Sequence, residues 1–295
     1  MVGLFLVWIV TQQPDPTPNP AIQKAAPRPK TTRTQIPSPP AEQVVQSQPP
    51  MVEQPVSITP SESPDGSLQA PAGTVPFDLI GHFVVAYGDV LLGAPTVEDF
   101  PKFGFIEAPK IKLWNQTEIP FSIDASLPNP ERVHRTIEYF NTQSPVRFVP
   151  FNGQSDSIVF MPGDDLCLSY VGRVGGHQPI YLSAKCGERE IAHELLHALG
   201  FIHEQSRPDR DRYVRIQWQN IEEARKSQFV MVPDSLFEPF KNRPFDYRSA
   251  MLYPPDAFAK DHGLITIESL GQSVDPVPIG LSDEDLARLY LLYNR

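Results

Sequence analysis

The run His193-Glu194-Leu195-Leu196-His197-Ala198-Leu199-Gly200-Phe201-Ile202-His203-Glu204 gathers three imidazoles around a glutamate within twelve residues. On a helix, side chains four residues apart leave the same face about 6 Å from each other, so His193 and His197 can reach one metal ion. A straight helix would carry His203 away from that ion. Gly200 resolves this, because a glycine accepts positive φ, ends the helix and turns the chain so that His203 comes back. Three neutral imidazoles fill three corners of a tetrahedral Zn²⁺ and leave one for water, whose pKa falls to about 7. Glu194, next to His193 but off the ligand axis, is placed to take the proton of that water and pass it to a leaving amine. HExxH alone also occurs on ordinary soluble helices, with two structural histidines and an exposed glutamate. The added glycine and third histidine select the zinc reading.

The helix that carries His193 and His197 is expected to begin near Glu188. Upstream, Val133, Ile137 and Phe140 recur at helical spacing over Arg132 to Asn141, behind a start at Pro130 and Glu131. Alternation at Trp114, Ile119, Phe121 and Ile123 predicts a strand opening the domain at Leu113, with further strands at 146–150, 157–161 and 179–183. This is α+β order, a sheet laid against two long helices. Past Pro208 the helix cannot continue, and 218–229 reads as a helix or an irregular turn. A C-terminal helix over 286–293 follows an N-cap at Ser282, with Glu284 and Asp285 in its first turn. Phe77 to Gly93 reads as a short apolar segment appended to the main domain, and the turn-rich stretch from there to Lys112 shows no clear secondary structure.

Composition sets the outer limits. The chain has 295 residues, 40% of them hydrophobic, enough for a sizeable core. About half of its 34 prolines precede Phe77, in a tract of Pro, Gln, Ser and Thr that lacks the apolar surface to fold, so 11–76 is expected to be a disordered linker. Residues 1–10 hold one apolar run, Val2 to Val10, too short to span a bilayer; it reads as a truncated or atypical secretory signal, an uncleaved anchor, or a meaningless apolar tail. A net charge of −10 argues against nucleic acid or an anionic membrane surface as partner. Cys167 and Cys186 either form a disulfide closing a loop of about twenty residues or remain reduced thiols.

Over Trp114 to Tyr293, and again at Tyr87, the chain resembles the astacin family of zinc metalloendopeptidases, of the metzincin clan. Glu204 directly after the third histidine, then Ser206-Arg207-Pro208-Asp209-Arg210-Asp211, matches the family's own continuation. Ser249-x-Met251-x-Tyr253 is similar to its Met-turn. The segment from Cys167 through Gly175-Gly176 to Cys186-Gly187 is similar to the part holding one of its two disulfides. The other is missing, since its positions fall at Pro145 and Arg295. Tyr87-Gly88-Asp89 resembles the propeptide motif, with Tyr87 displaced by one position from the usual Phe.

The resemblance implies a two-lobed metzincin-like domain, 113–295, with a twisted, mostly parallel sheet and an active-site helix, preceded by a propeptide at 77–112. It implies one catalytic Zn²⁺ on His193, His197 and His203, with Met251 as an apolar floor and Tyr253 able to ligate the resting metal or bond the oxyanion. It further implies that Asp89 caps the zinc in a zymogen, that Cys167 pairs with Cys186, and that Glu204 receives the new amino terminus after cleavage between Asp89 and Trp114. The partners expected are polypeptide substrates of a secreted or extracytoplasmic monomer, with no nucleic acid and no stable membrane span, an N-terminal anchor being left open. The alternative is a catalytically weak or inactive astacin-like binding module on a Pro-rich stalk.

Overall fold

Strands and helices in this chain follow its burial pattern. The computed structural model describes residues 51–52, 61–62, 66–95 and 100–294, all within the unit 46–295. The expected 1–10 signal or anchor segment and most of the 11–76 linker lie outside the described residues. Strands β1 (Thr74–Ile80), β2 (Phe83–Ala86), β3 (Val90–Pro95) and β4 (Phe103–Glu107) pair antiparallel. They are followed by β5 (Glu118–Ile123), β6 (Arg147–Pro150), β7 (Ser157–Pro162), β8 (Cys167–Ser169) and β9 (His177–Leu182). Here β5, β6, β7 and β9 are parallel and β8 runs antiparallel to β9. The sheet order is β4-β1-β2-β3-β8-β9-β7-β5-β6, with Met51–Val52 beside β3. Ile158, Val159 and Phe160 of β7 are all buried, as a central parallel strand covered on both faces requires.

Helix α1 (Glu131–Gln143) buries Val133, Ile137 and Phe140, and Glu131 lies in its first turn. Helix α2 (Glu188–Ala198) buries Ile191, Ala192, Leu195 and Leu196. At its start the Glu190 carboxylate accepts from the Gly187 N–H at 2.8 Å. A disulfide joins Cys167 at the start of β8 to Cys186 just before α2. Closing a loop of that length contributes about 3 kcal/mol in the chain-entropy account. After α2 the chain runs through short 3₁₀ turns, among them Trp218–Asn220 and Glu223–Phe229, and a small two-stranded sheet, β10 (Val214–Ile216) with β11 (Ile267–Ser269). It closes with α3 (Asp283–Tyr293), capped by Ser282, whose hydroxyl accepts from the Asp285 N–H at 2.9 Å. No helix among the described residues is long and apolar enough to cross a membrane.

The segment before residue 113 differs from its sequence reading. Ordered backbone begins inside the expected linker, with Thr74 and Val75 already buried in β1. The stretch from Gly93 to Lys112, read as showing no clear secondary structure, contains the end of β3 and the whole of β4. Nor is the segment a mere appendage: Val75, Ala86, Tyr87, Val90 and Phe105 are buried in the same core as α2, while Phe77, Val84 and Phe100 form a small cluster of their own. The turns at Gly81 and Gly88 divide these strands into runs too short for alternation to stand out. The expected strand at Leu113 begins later, at Glu118, because 113–117 is irregular.

Candidate active site and metal centre

Helix α2 places His193 and His197 on one face, and Gly200 then reverses the chain. Gly200 has φ of +99°, its N–H donates to the His197 carbonyl at 2.8 Å, and Phe201 N–H returns to Leu196 at 3.0 Å. A Cβ at Gly200 would also come within 2.6 Å of Leu113 Cδ2, so space and φ both demand glycine. His203 thereby joins the other two. The ring centroids of His193, His197 and His203 stand 4.7, 4.8 and 5.0 Å apart.

Two of the imidazoles are locked from behind. His193 Nδ1 donates to the Ala250 carbonyl at 2.9 Å and His197 Nδ1 to the Phe201 carbonyl at 2.9 Å. A carbonyl can only accept, so Nδ1 holds the proton in both neutral rings and Nε2 presents a lone pair to the centre. The Nε2 atoms of His193 and His203 are 3.0 Å apart. Asp89 completes the group, its carboxylate oxygens 3.4 Å from His193 Nε2, 3.4 Å from His197 Nε2 and 3.1 Å from His203 Nε2.

His197 Nε2 and Asp89 Oδ1 are buried and have no hydrogen-bond partner. Lone pairs facing a carboxylate at these distances require a cation among them. Ligands about 2.1 Å from a tetrahedral zinc stand about 3.4 Å from one another, which these spacings match. His193, His197, His203 and Asp89 therefore fit one metal ion, and their nitrogen and oxygen donors suit zinc.

Electrostatics agree with a ligand role. Burial pushes His203 down to about 4 and His197 below its ordinary value, so both are neutral near pH 7. Burial also acts on His193, but Asp89 outweighs it and raises that ring; a metal ion takes the place of such a proton. For Asp89 burial opposes charge, yet the three histidines hold its pKa well below the carboxylate range.

Asp89 arrives on the turn between β2 and β3, where Tyr87 and Gly88 take φ of 53° and 91°. The φ of 91° at Gly88 favours glycine, and a Cβ there would push the Gln228 side-chain end, 2.6 Å away, aside. The Tyr253 hydroxyl donates to the Tyr87 carbonyl at 3.0 Å, with Gln228 Oε1 at 3.2 Å, and its ring lies 4.9 Å from that of His203. Glu194 is 2% exposed, with Oε2 unpartnered. Burial first, then Asp89 and Glu190, push its pKa well up. A cleft of about 350 Å³ opens beside His193 and Glu194, lined also by Arg189, Arg225, Gln228 and Phe258.

Met251 is fully buried, and its turn touches the site through backbone carbonyls. The Ala250 carbonyl orients His193, and that of Met251 accepts from the Glu204 N–H at 2.9 Å. Sequence reasoning missed what holds this turn. Asp285 accepts from Ser249 Oγ at 2.7 Å and from the Ala250 N–H at 2.8 Å. Arg288, one turn further along α3, donates to both oxygens of Glu204 at 2.6 and 2.9 Å. A signal for both was present: Asp285, Arg288, Leu289 and Leu292 share the apolar face of α3, where a solvated charge does not belong. Asp285→Ala strands three buried donors, the Ser282 N–H among them, and should lower stability by about 3 kcal/mol, measured by urea denaturation. A change below about 0.5 kcal/mol, the range of surface substitutions, would mean that the turn holds itself.

The description of the Astacin peptidase family matches residues 106–294, and the chain belongs to the astacin family. Zinc metalloproteinase nas-13 of Caenorhabditis elegans is 38% identical over 207 residues, 66% of this chain and 45% of that protein. Meprin A subunit beta of Mus musculus is 34% identical over 62% of this chain and 26% of its own length. Among solved structures, high choriolytic enzyme 1, a hatching enzyme zinc-protease from Oryzias latipes, is 33% identical, with a TM-score of 0.55 over 62% of this chain and 94% of that one. The chain thus spans about half, or less, of the length of these two sequence relatives.

Proposed function

We propose that this chain is a zinc-dependent endopeptidase made in a latent form, with Asp89 as a removable plug. The observation that carries the reading is the inward convergence of three Nε2 atoms, with a carboxylate delivered to them from a segment more than 100 residues upstream. Bound zinc would activate water and polarise a peptide carbonyl. Glu194 accepts the proton of the attacking water and returns it to the leaving amine. Its position beside, rather than among, the ligands favours that role. Tyr253, once released from the Tyr87 carbonyl, donates its hydroxyl to the carbonyl oxygen as charge develops there. In the latent form burial, then Asp89 and Glu194, raise its pKa, so the hydroxyl there carries its proton. The ordered segment before Ala108 is the propeptide and 113–295 the peptidase domain. The Cys167–Cys186 disulfide supports an extracytoplasmic setting.

Cleavage belongs in Ala108 to Lys110, between the end of β4 and the backbone anchored where Arg173 N–H bonds the Lys112 carbonyl at 2.6 Å. The test measures zinc content and casein hydrolysis of the full chain before and after limited proteolysis. One zinc throughout, with activity only after the cut, is expected. A cut protein that holds zinc but hydrolyses no peptide would favour the binding-module reading. In the cut form, Tyr253→Phe should lower kcat by about 10²-fold, the loss of one oxyanion donor, with zinc retained. Unchanged kcat would remove Tyr253 from the chemistry.

A further inference from the structure

Asn115-Gln116-Thr117 is an Asn-x-Thr triplet, and no other asparagine in the chain is followed two residues later by Ser or Thr. The triplet forms an exposed bend between Trp114 and β5. Other asparagines serve the fold: the Asn141 side chain bonds both backbone groups of Phe148, and Asn220 donates to the Ile265 carbonyl. Neither the Asn115 amide nor the Thr117 hydroxyl holds a hydrogen bond among the described residues, so the amide stands free for modification. The bend borders a groove of about 420 Å³, lined also by Trp114, Glu118, Leu292 and Tyr293. Its walls hold the end of the zinc-facing helix. Trp114 Nε1 donates to the Ala198 carbonyl at 3.0 Å and the Tyr293 hydroxyl to the Leu199 carbonyl at 2.9 Å, two carbonyls left without an intrahelical partner where α2 ends. Tyr290 and Leu291, just before them on α3, are 47% and 54% exposed and add apolar surface.

We propose that Asn115 carries an N-linked glycan and that its first sugar lies over this groove. Asn115 Nδ2 attacks C1 of an oligosaccharide held on a polyisoprenyl pyrophosphate; the C1–O bond breaks, the pyrophosphate leaves with the bonding pair, and the amide nitrogen gives up one proton. The sugar needs little affinity of its own, because the residue that carries it lines the groove. A sugar ring offers its C–H face to apolar walls such as Leu292 and its hydroxyls to Gln116 and Glu118. Asn115 lies beyond Ala108 to Lys110, so the glycan stays with the peptidase domain after the cut. The site rests on the extracytoplasmic setting given above, since chains meet the sugar donor in the secretory lumen.

The test produces the full chain behind a cleavable secretion signal in a eukaryotic host and reads residue 115 by mass spectrometry after enzymatic release of the glycan, which leaves aspartate there. Occupancy of most molecules is expected. A bare Asn115 in secreted protein whose Cys167–Cys186 disulfide has formed overturns the site. In the chain recovered from its own source, free thiols together with a bare Asn115 would overturn the extracytoplasmic setting, and the native modification with it, even where the secreted form is occupied. The groove is read by amide hydrogen exchange on the folded protein. Amides of 114–118 and 289–294 should exchange about three- to tenfold more slowly with the glycan than after its complete removal, the equivalent of one added hydrogen bond of local stability. Trimming to the first sugar should keep that protection, and Thr117→Ala, made without a glycan, should lack it. Equal exchange in the occupied and stripped proteins would place the glycan in solvent and overturn the groove assignment.

Discussion

In the cut protein, Glu194→Gln should retain one zinc and the native fold while kcat falls by about 10²- to 10⁴-fold, the contribution of a positioned proton carrier. Gln keeps the shape of Glu and removes only its basicity. Glu194 is no member of the group that faces the metal, which contains His193, His197, His203 and Asp89. Its buried, unpartnered Oε2 faces no structural duty that an amide would disturb. The two measurements are metal content and peptide turnover on the same preparation. Full turnover by purified Glu194→Gln protein would leave the proton transfer to some other group and return Glu194 to a packing role.

The second large effect is expected in the uncut chain, where Asp89→Ala should raise peptide hydrolysis by about 10²-fold, as removing a plug that occupies its site 99 times in 100 would. Asp89 faces all three histidines, and no other carboxylate joins that group among the described residues. After the substitution Gly88 still lines the cleft and the Tyr87 carbonyl still holds the Tyr253 hydroxyl, so the variant should remain slower than the cut wild type. After cutting, wild type and variant should turn over alike. An uncut Asp89→Ala chain as silent as uncut wild type would leave latency to steric cover by Tyr87 and Gly88 alone.

What was legible in the sequence was local. His193, His197 and Gly200 state their geometry within eight residues, because helical spacing and a helix-ending glycine need no distant partner. α1, α2 and α3 were readable for the same reason, from stripes such as Val133, Ile137 and Phe140. Asp285 was read as an ordinary N-terminal-turn acid, and Arg288 was not singled out. A buried charge and a solvated one look alike in sequence until the partner that neutralises it is known. The β-rich segment before residue 113 was underestimated because its pairing is non-local: β1 finds β4 more than twenty residues later, and Val90 meets Ser169 across the sheet. Asp89 entered through a family resemblance, since a turn aspartate has no spacing rule linking it to a histidine at 193.

Among the described residues the two halves of the sheet meet through the single pair Ser169–Val90, yet Val75, Tyr87, Val90 and Phe105 are buried in the shared core. Severing the backbone near Ala108 is therefore a separate event from unblocking the cleft. On the latent-enzyme reading proposed above, the freed fragment should stay as a tight non-covalent inhibitor whose departure is unimolecular, so turnover should begin after a lag that does not shorten when more of the activating protease is supplied. Once shed, the fragment can rebind in trans, and concentrated preparations should regain activity on dilution.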